Sequence, residues 1–157
     1  MSISIGLRTA ALSFMIGSSM ASSCGWYLVA TPSFAPAPPF DCFASAMQAL
    51  PEARHIGRVS HHQGNEYLDV ELQDSTAKSV RFRALIARGS HHGVPNDTLV
   101  VSTVWGGPKR PPAIQVESAA QVLGRLVGHL RAQCAPNTPS EFPCTFAGEP
   151  IRCGPIT

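Results

Sequence analysis

Two stretches of alternating residues constrain this chain more than any other feature. In "EYLDVELQ", residues 66–73, apolar Leu68, Val70 and Leu72 alternate with Asp69, Glu71 and Gln73. In "SVRFRALIA", residues 79–87, Val80, Phe82, Ala84 and Ile86 alternate with Arg81 and Arg83. A period of two is the strand period, because successive side chains point to opposite faces of a sheet. Folded as a hairpin about Thr76, the segments set Glu71 opposite Arg81, Asp69 opposite Arg83 and Asp74 opposite Lys78. Leu72 then meets Val80, and Val70 meets Phe82. Each cross-strand charge pair contributes only tenths of a kcal/mol, roughly, but a slip of one residue would break all of them.

Other elements fall into place around this hairpin. "TLVVSTVW" (98–105) reads as a further strand and "HIGRVS" (55–60) as a weaker one. Asp41 is positioned to cap a short helix whose stripe is Cys42, Phe43, Ala46, Met47 and Leu50, with Pro51 near its end. A second helix is expected over "VESAAQVLGRLVGHLRAQC", with Ser118 and Gln121 at capping-box spacing and Leu126, Leu130 and Cys134 on one stripe. The expected fold class is α+β: a two-layer sandwich in the order α-β-β-β-(β)-α, with an antiparallel sheet of three to four strands and two helices on one face. Gly124 and Gly128 are expected to let that second helix pack closely on the sheet. Arg125, His129 and Arg131 in the same span argue against a membrane dimer motif.

Prolines mark the borders. The chain has 14, clustered at 32–39, 108–112 and 136–155, where a residue without a backbone donor suits linkers and turns. The expected organisation is a signal peptide at 1–23, a proline-rich spacer at 24–40, the α+β domain at 41–134 and a Pro/Cys tail at 135–157. The spacer would hold the domain away from a membrane in extended geometry.

The first 23 residues read as an export signal. Arg8 is the one charged side chain before Asp41; an apolar run, "TAALSFMIG", and then small residues, "SSMASSC", follow it. Ala21-Ser22-Ser23-Cys24 resembles a bacterial lipobox, with Ala21 where that pattern has Leu, Val or Ile. The resemblance implies lipidation of Cys24, which becomes the mature N-terminus and anchors the protein to a membrane. Gly25 after the cysteine points to the periplasmic side of the outer membrane. Two alternatives stand beside this reading. Cleavage after Ser19-Met20-Ala21 would release a soluble secreted or periplasmic protein, and an uncleaved segment would stay as an anchor with Trp26 and Tyr27 at the interface.

The chain has five cysteines, and lipid on Cys24 would leave an even set. In an oxidising compartment the expected pairs are Cys42–Cys134 and Cys144–Cys153, one long loop and one local loop.

Chemistry is sparser. A net charge of +2 with 14% charged residues and no Lys/Arg cluster exclude a nucleic-acid partner. No Gly-x-Ser-x-Gly, His-Glu-x-x-His or phosphate-loop motif occurs, and Asp69 and Glu71 read as structural ion-pair partners rather than a catalytic pair. "WGGPKRPP" reads as a strand exit, with Trp105 as a core or rim aromatic. The expected function is therefore a non-catalytic binding or structural module of the cell envelope, without a cofactor and with an envelope protein as partner. The alternative is a periplasmic metal-binding protein. The doublets His61-His62 and His91-His92, with Glu66 or Asp97, offer imidazoles that suit Zn, Cu or Ni.

Overall fold

The computed structural model describes residues 25–34, 36–75, 81–88, 97–137 and 141–154. In chain order the elements are β1 (Gly25–Ala30), α1 (Phe40–Met47), β2 (Ala53–Ile56), β3 (Ser60–His62), β4 (Asn65–Gln73), β5 (Arg81–Arg88), β6 (Val100–Gly106), α2 (Ala113–Cys134), β7 (Cys144–Phe146) and β8 (Glu149–Pro150). The fold is α+β with one antiparallel sheet, but among the described residues that sheet has eight strands rather than three or four. Their order is β2-β4-β5-β6-β1-β7-β8, and β3 pairs with β4 beside β2.

The alternating hairpin forms from β4 and β5. Its register sets Glu71 opposite Arg83, Leu72 opposite Phe82 and Gln73 opposite Arg81, two residues from the one expected. The reason lies at Asp74. This carboxylate is buried under α2, where it accepts from Ser118 and Arg125, and β4 ends at Gln73. A shift of two keeps each side chain on its face. Asp69 therefore still bonds Arg83, now diagonally. Lys78 and Val80 lie outside the described residues.

The expected domain borders move outward at both ends. Residues 25–30, expected as spacer, form β1 in the interior of the sheet, between β6 and β7. "GWYLVA" is rich in strand formers, and its apolar character reads equally as a continuation of the export signal. The chain stays with the sheet afterwards, through a bridge from Ser33 to Thr98. The expected tail contributes β7 and β8. Ala147 and Gly148 form their two-residue turn, both with positive φ (51° and 82°), the geometry that matches the twist of a hairpin.

Both helices begin after a proline pair, with Pro39 and Pro112 as caps and no side-chain cap bond. Proline's fixed φ suits helix entry and gives up no needed donor. Asp41 thus lies inside the first turn of α1, where its charge favours the helix dipole, instead of capping it. Ser118 is likewise inside α2, and its hydroxyl donates to Asp74.

One face of the sheet carries Leu28, Val70, Leu72, Ile86 and Val101, all fully buried with Phe43 and Met47 of α1 and Leu123, Leu126 and Leu130 of α2. Burying each such side chain contributes roughly 1.5–3 kcal/mol. Cys42 and Cys134 join the two helices, with Cα atoms 5.9 Å apart and a sequence separation of 92. Closing so long a loop contributes about 4 kcal/mol in the chain-entropy account. Cys144 and Cys153 are joined as well, at a sequence separation of 9.

Candidate functional site

Because α1 and α2 lie on the same side, the other face of the sheet has no helix over it among the described residues. Strand pleating sends every second side chain there. Three of them are large and apolar: Tyr27 of β1, Leu85 of β5 and Val104 of β6, exposed at 40%, 41% and 53%. Tyr27 stands directly opposite Val104, and Leu85 pairs with Ser102, which in turn pairs with Val29. Diagonal neighbours of this kind lie within side-chain reach. The three residues therefore form one patch across three adjacent strands.

Next to the patch, on β2, β4 and β5, the same face turns polar. A depression of about 330 Å³ is lined by His55, Gly57, Asp69, Glu71 and Arg83. Asp69 is bonded to Arg83, both well exposed, and His55 stands opposite Glu71. Gly57 donates its N–H to the Asp69 carbonyl at 2.8 Å. A Cβ on Gly57 would come within 2.9 Å of that oxygen, so only glycine admits this approach. The carboxylate and guanidinium of Asp69 and Arg83 satisfy each other rather than converging on a reacting atom. The face combines an apolar centre with a mixed-charge border.

No family model, curated protein or solved structure matches the chain.

The remaining charged clusters hold the fold together. Arg125 of α2 donates from Nε to Glu52 at 2.7 Å and from Nη2 to Asp74 at 3.3 Å. Ser75 donates to the same Glu52 oxygen at 3.4 Å. Glu52 and Asp74 are buried, and the cluster pins α2 to the end of β4. Arg88 makes two bonds to Glu66, at 2.9 and 2.6 Å, and one to the Pro38 carbonyl, and it lies over Phe40. Arg131 stacks on Phe34 and Phe142, and burial lowers its pKa from the ordinary guanidinium value.

Four of the metal-ligand candidates, His61, His62, Glu66 and Asp97, are among the described residues. His61 and His62 sit exposed on β3, pointing to opposite faces as neighbours in a strand do. Glu66 is engaged by Arg88, and Asp97 accepts a bond from Thr98 at 3.3 Å. Cys24, His91 and His92 lie outside the described residues. Among the described residues no three His, Cys, Asp or Glu side chains are grouped to hold a metal ion.

Sequence reasoning missed the apolar patch on the open face and the Glu52–Asp74–Arg125 cluster. Leu85 carried a signal: it breaks the polar phase of "SVRFRALIA", and the hairpin places it outward. Tyr27 and Val104 carried none without knowledge that β1 and β6 are neighbours. Ser118 and Arg125 lie seven residues apart, two helical turns on one stripe, but their carboxylate partners come from two distant loops.

Proposed function

We propose that the protein is an exported, non-catalytic module of the cell envelope, held at a membrane by its N-terminus, which binds a partner protein through the open face of its sheet. The observation that carries this reading is the patch of Tyr27, Leu85 and Val104 beside a mixed-charge depression, on the side of the sheet opposite both helices. A solvated sheet face ordinarily presents polar side chains, and a contiguous apolar group with a polar border is the mark of an interaction site. The partner it fits presents an apolar centre against Leu85 and charges of both signs toward Arg83 and Glu71. The export reading draws support from the signal-like N-terminus and from two disulfides, bonds that persist in oxidising compartments.

The test is site-specific photocrosslinking in intact cells with a benzophenone amino acid at position 85. One discrete adduct is expected, lost when Val104→Asp is added and retained when Ser45→Asp is added on α1. An adduct indifferent to Val104→Asp, or none at all, overturns the binding role of this face. An adduct of twice the chain's own mass would make a second copy the occupant instead of a different protein.

A further inference from the structure

The start of β1 is where the N-terminal segment joins the folded domain, and its surroundings have a composition unlike the rest of the surface. Gly25 pairs with Gly106 and Trp26 with Trp105, so both tryptophans of the chain stand side by side at this end. Each is half-buried, and both rings lie 6.0 Å from Phe146. The connection from β6 to α2, residues 107–112, carries Lys109 and Arg110 and no carboxylate. Both cations are exposed. The Arg110 guanidinium rests 5.6 Å over Trp26 and 5.1 Å over Phe146. Ile114, in the first turn of α2, is 65% exposed, more than any other large apolar residue named as exposed above.

Indole rings, a protruding aliphatic side chain and paired cations are what a bilayer interface selects. The rings sit at headgroup level, the aliphatic chain reaches the acyl boundary and the cations meet anionic phosphates. Chain geometry leads to the same occupant. Cys24 directly precedes Gly25, and one extended residue spans at most about 3.6 Å. With β1 beginning at Gly25 there is no spacer, so a lipid on Cys24 would bring this end of the sheet against the headgroups.

We propose that Trp26, Trp105, Lys109, Arg110 and Ile114 form a membrane-docking end, seated on anionic phospholipid, from which β1 runs away from the bilayer. This rests on the membrane-anchored reading of the N-terminus. It goes beyond that reading by fixing which end of the domain meets the lipid.

The experiment uses the full chain, expressed with its own N-terminus and reconstituted in vesicles of phosphatidylethanolamine and phosphatidylglycerol, with and without acyl-chain bromination. Flotation reports anchoring, and bromine quenching of tryptophan reports docking. In Trp26→Phe the remaining emission comes from Trp105. It is expected to be quenched, and to lose that quenching in Lys109→Glu/Arg110→Glu while the protein still floats. The reciprocal Trp105→Phe, reading Trp26, gives the same test if the first variant is unstable. Flotation without quenching, or quenching indifferent to charge reversal, overturns the docking end and leaves the anchor standing. A chain that does not float overturns both.

Discussion

Thr103 sits on the helix side of β6, opposite Leu28 and Ala84, and is 1% exposed. Its hydroxyl has no hydrogen-bond partner among the described residues. A buried donor without a partner keeps its desolvation cost and gains nothing. Thr103→Val removes the hydroxyl at nearly constant shape, so it should stabilise the fold by about 1 kcal/mol. The expected result is a higher urea midpoint at an unchanged slope; a lower midpoint would mean that the hydroxyl is satisfied. Arg125 is the opposite case. It is the cation facing two buried carboxylates, Glu52 and Asp74, whose side chains are 6% and 2% exposed. Arg125→Met removes the guanidinium from both carboxylates and leaves them the hydroxyls of Ser118 and Ser75; it should cost about 2 kcal/mol, short of the full penalty for a buried pair because the guanidinium itself is partly solvated. Arg83→Met breaks an exposed pair with Asp69 and should cost well under about 1 kcal/mol. Equal losses in the two unfolding curves would remove the structural role assigned to Arg125.

At the scale of elements, local pattern was legible wherever it was self-contained. The alternation over 66–73 and 79–87 and the stripe of Leu126, Leu130 and Cys134 each announce their element without help from elsewhere. The two-helix arrangement follows from them. What stayed hidden depends on partners distant in sequence. The observed hairpin register goes with Asp74 reaching Ser118 and Arg125 of α2, partners that the hairpin's own sequence does not show. β1 is a strand because β6 and β7 flank it. Gly124 shows the same limit. Its spacing to Gly128 signalled a close backbone approach, but the neighbour is not the sheet. A Cβ on Gly124 would lie 2.2 Å from the Gly154 Cα, whereas one on Gly128 would meet nothing. The approaching segment follows directly on Cys153, which Cys144 holds in place, so it cannot move away freely. Gly124→Ala should therefore destabilise despite alanine's better helix propensity, and Gly128→Ala should stabilise by up to about 1 kcal/mol. Thermal melts of the two variants should shift in opposite directions, and a shared direction would refute the contact.

For the molecule as a whole, the decisive fact is that β1 is the first described strand yet lies inside the sheet, so the two ends of the chain complete each other. On one side β1 pairs with β6, and on the other with β7, which comes after α2. Phe146 of β7 also packs on both tryptophans at the proposed docking end, and Ala147 donates to the Tyr27 carbonyl at 2.9 Å. A chain ending at Asn137 would keep both helices, the Cys42–Cys134 bond and the β4–β5 hairpin. It would lose the cover of β1, taking away the partners of the Tyr27 carbonyl and the Thr31 N–H at a new edge and leaving the space behind Trp26 and Trp105 empty. Had residues 135–157 been a dispensable tail, this truncation would melt like the full chain. The sheet order predicts otherwise, because an apolar, unprotected edge strand recruits other chains. The truncated protein should lose its cooperative melt and elute as oligomers in size-exclusion chromatography. A monomeric truncation with an unchanged melt would mean that β7 and β8 are accessory. The proposed function would then be altered too, since both the proposed docking end and the Tyr27 side of the proposed binding face are built on β1.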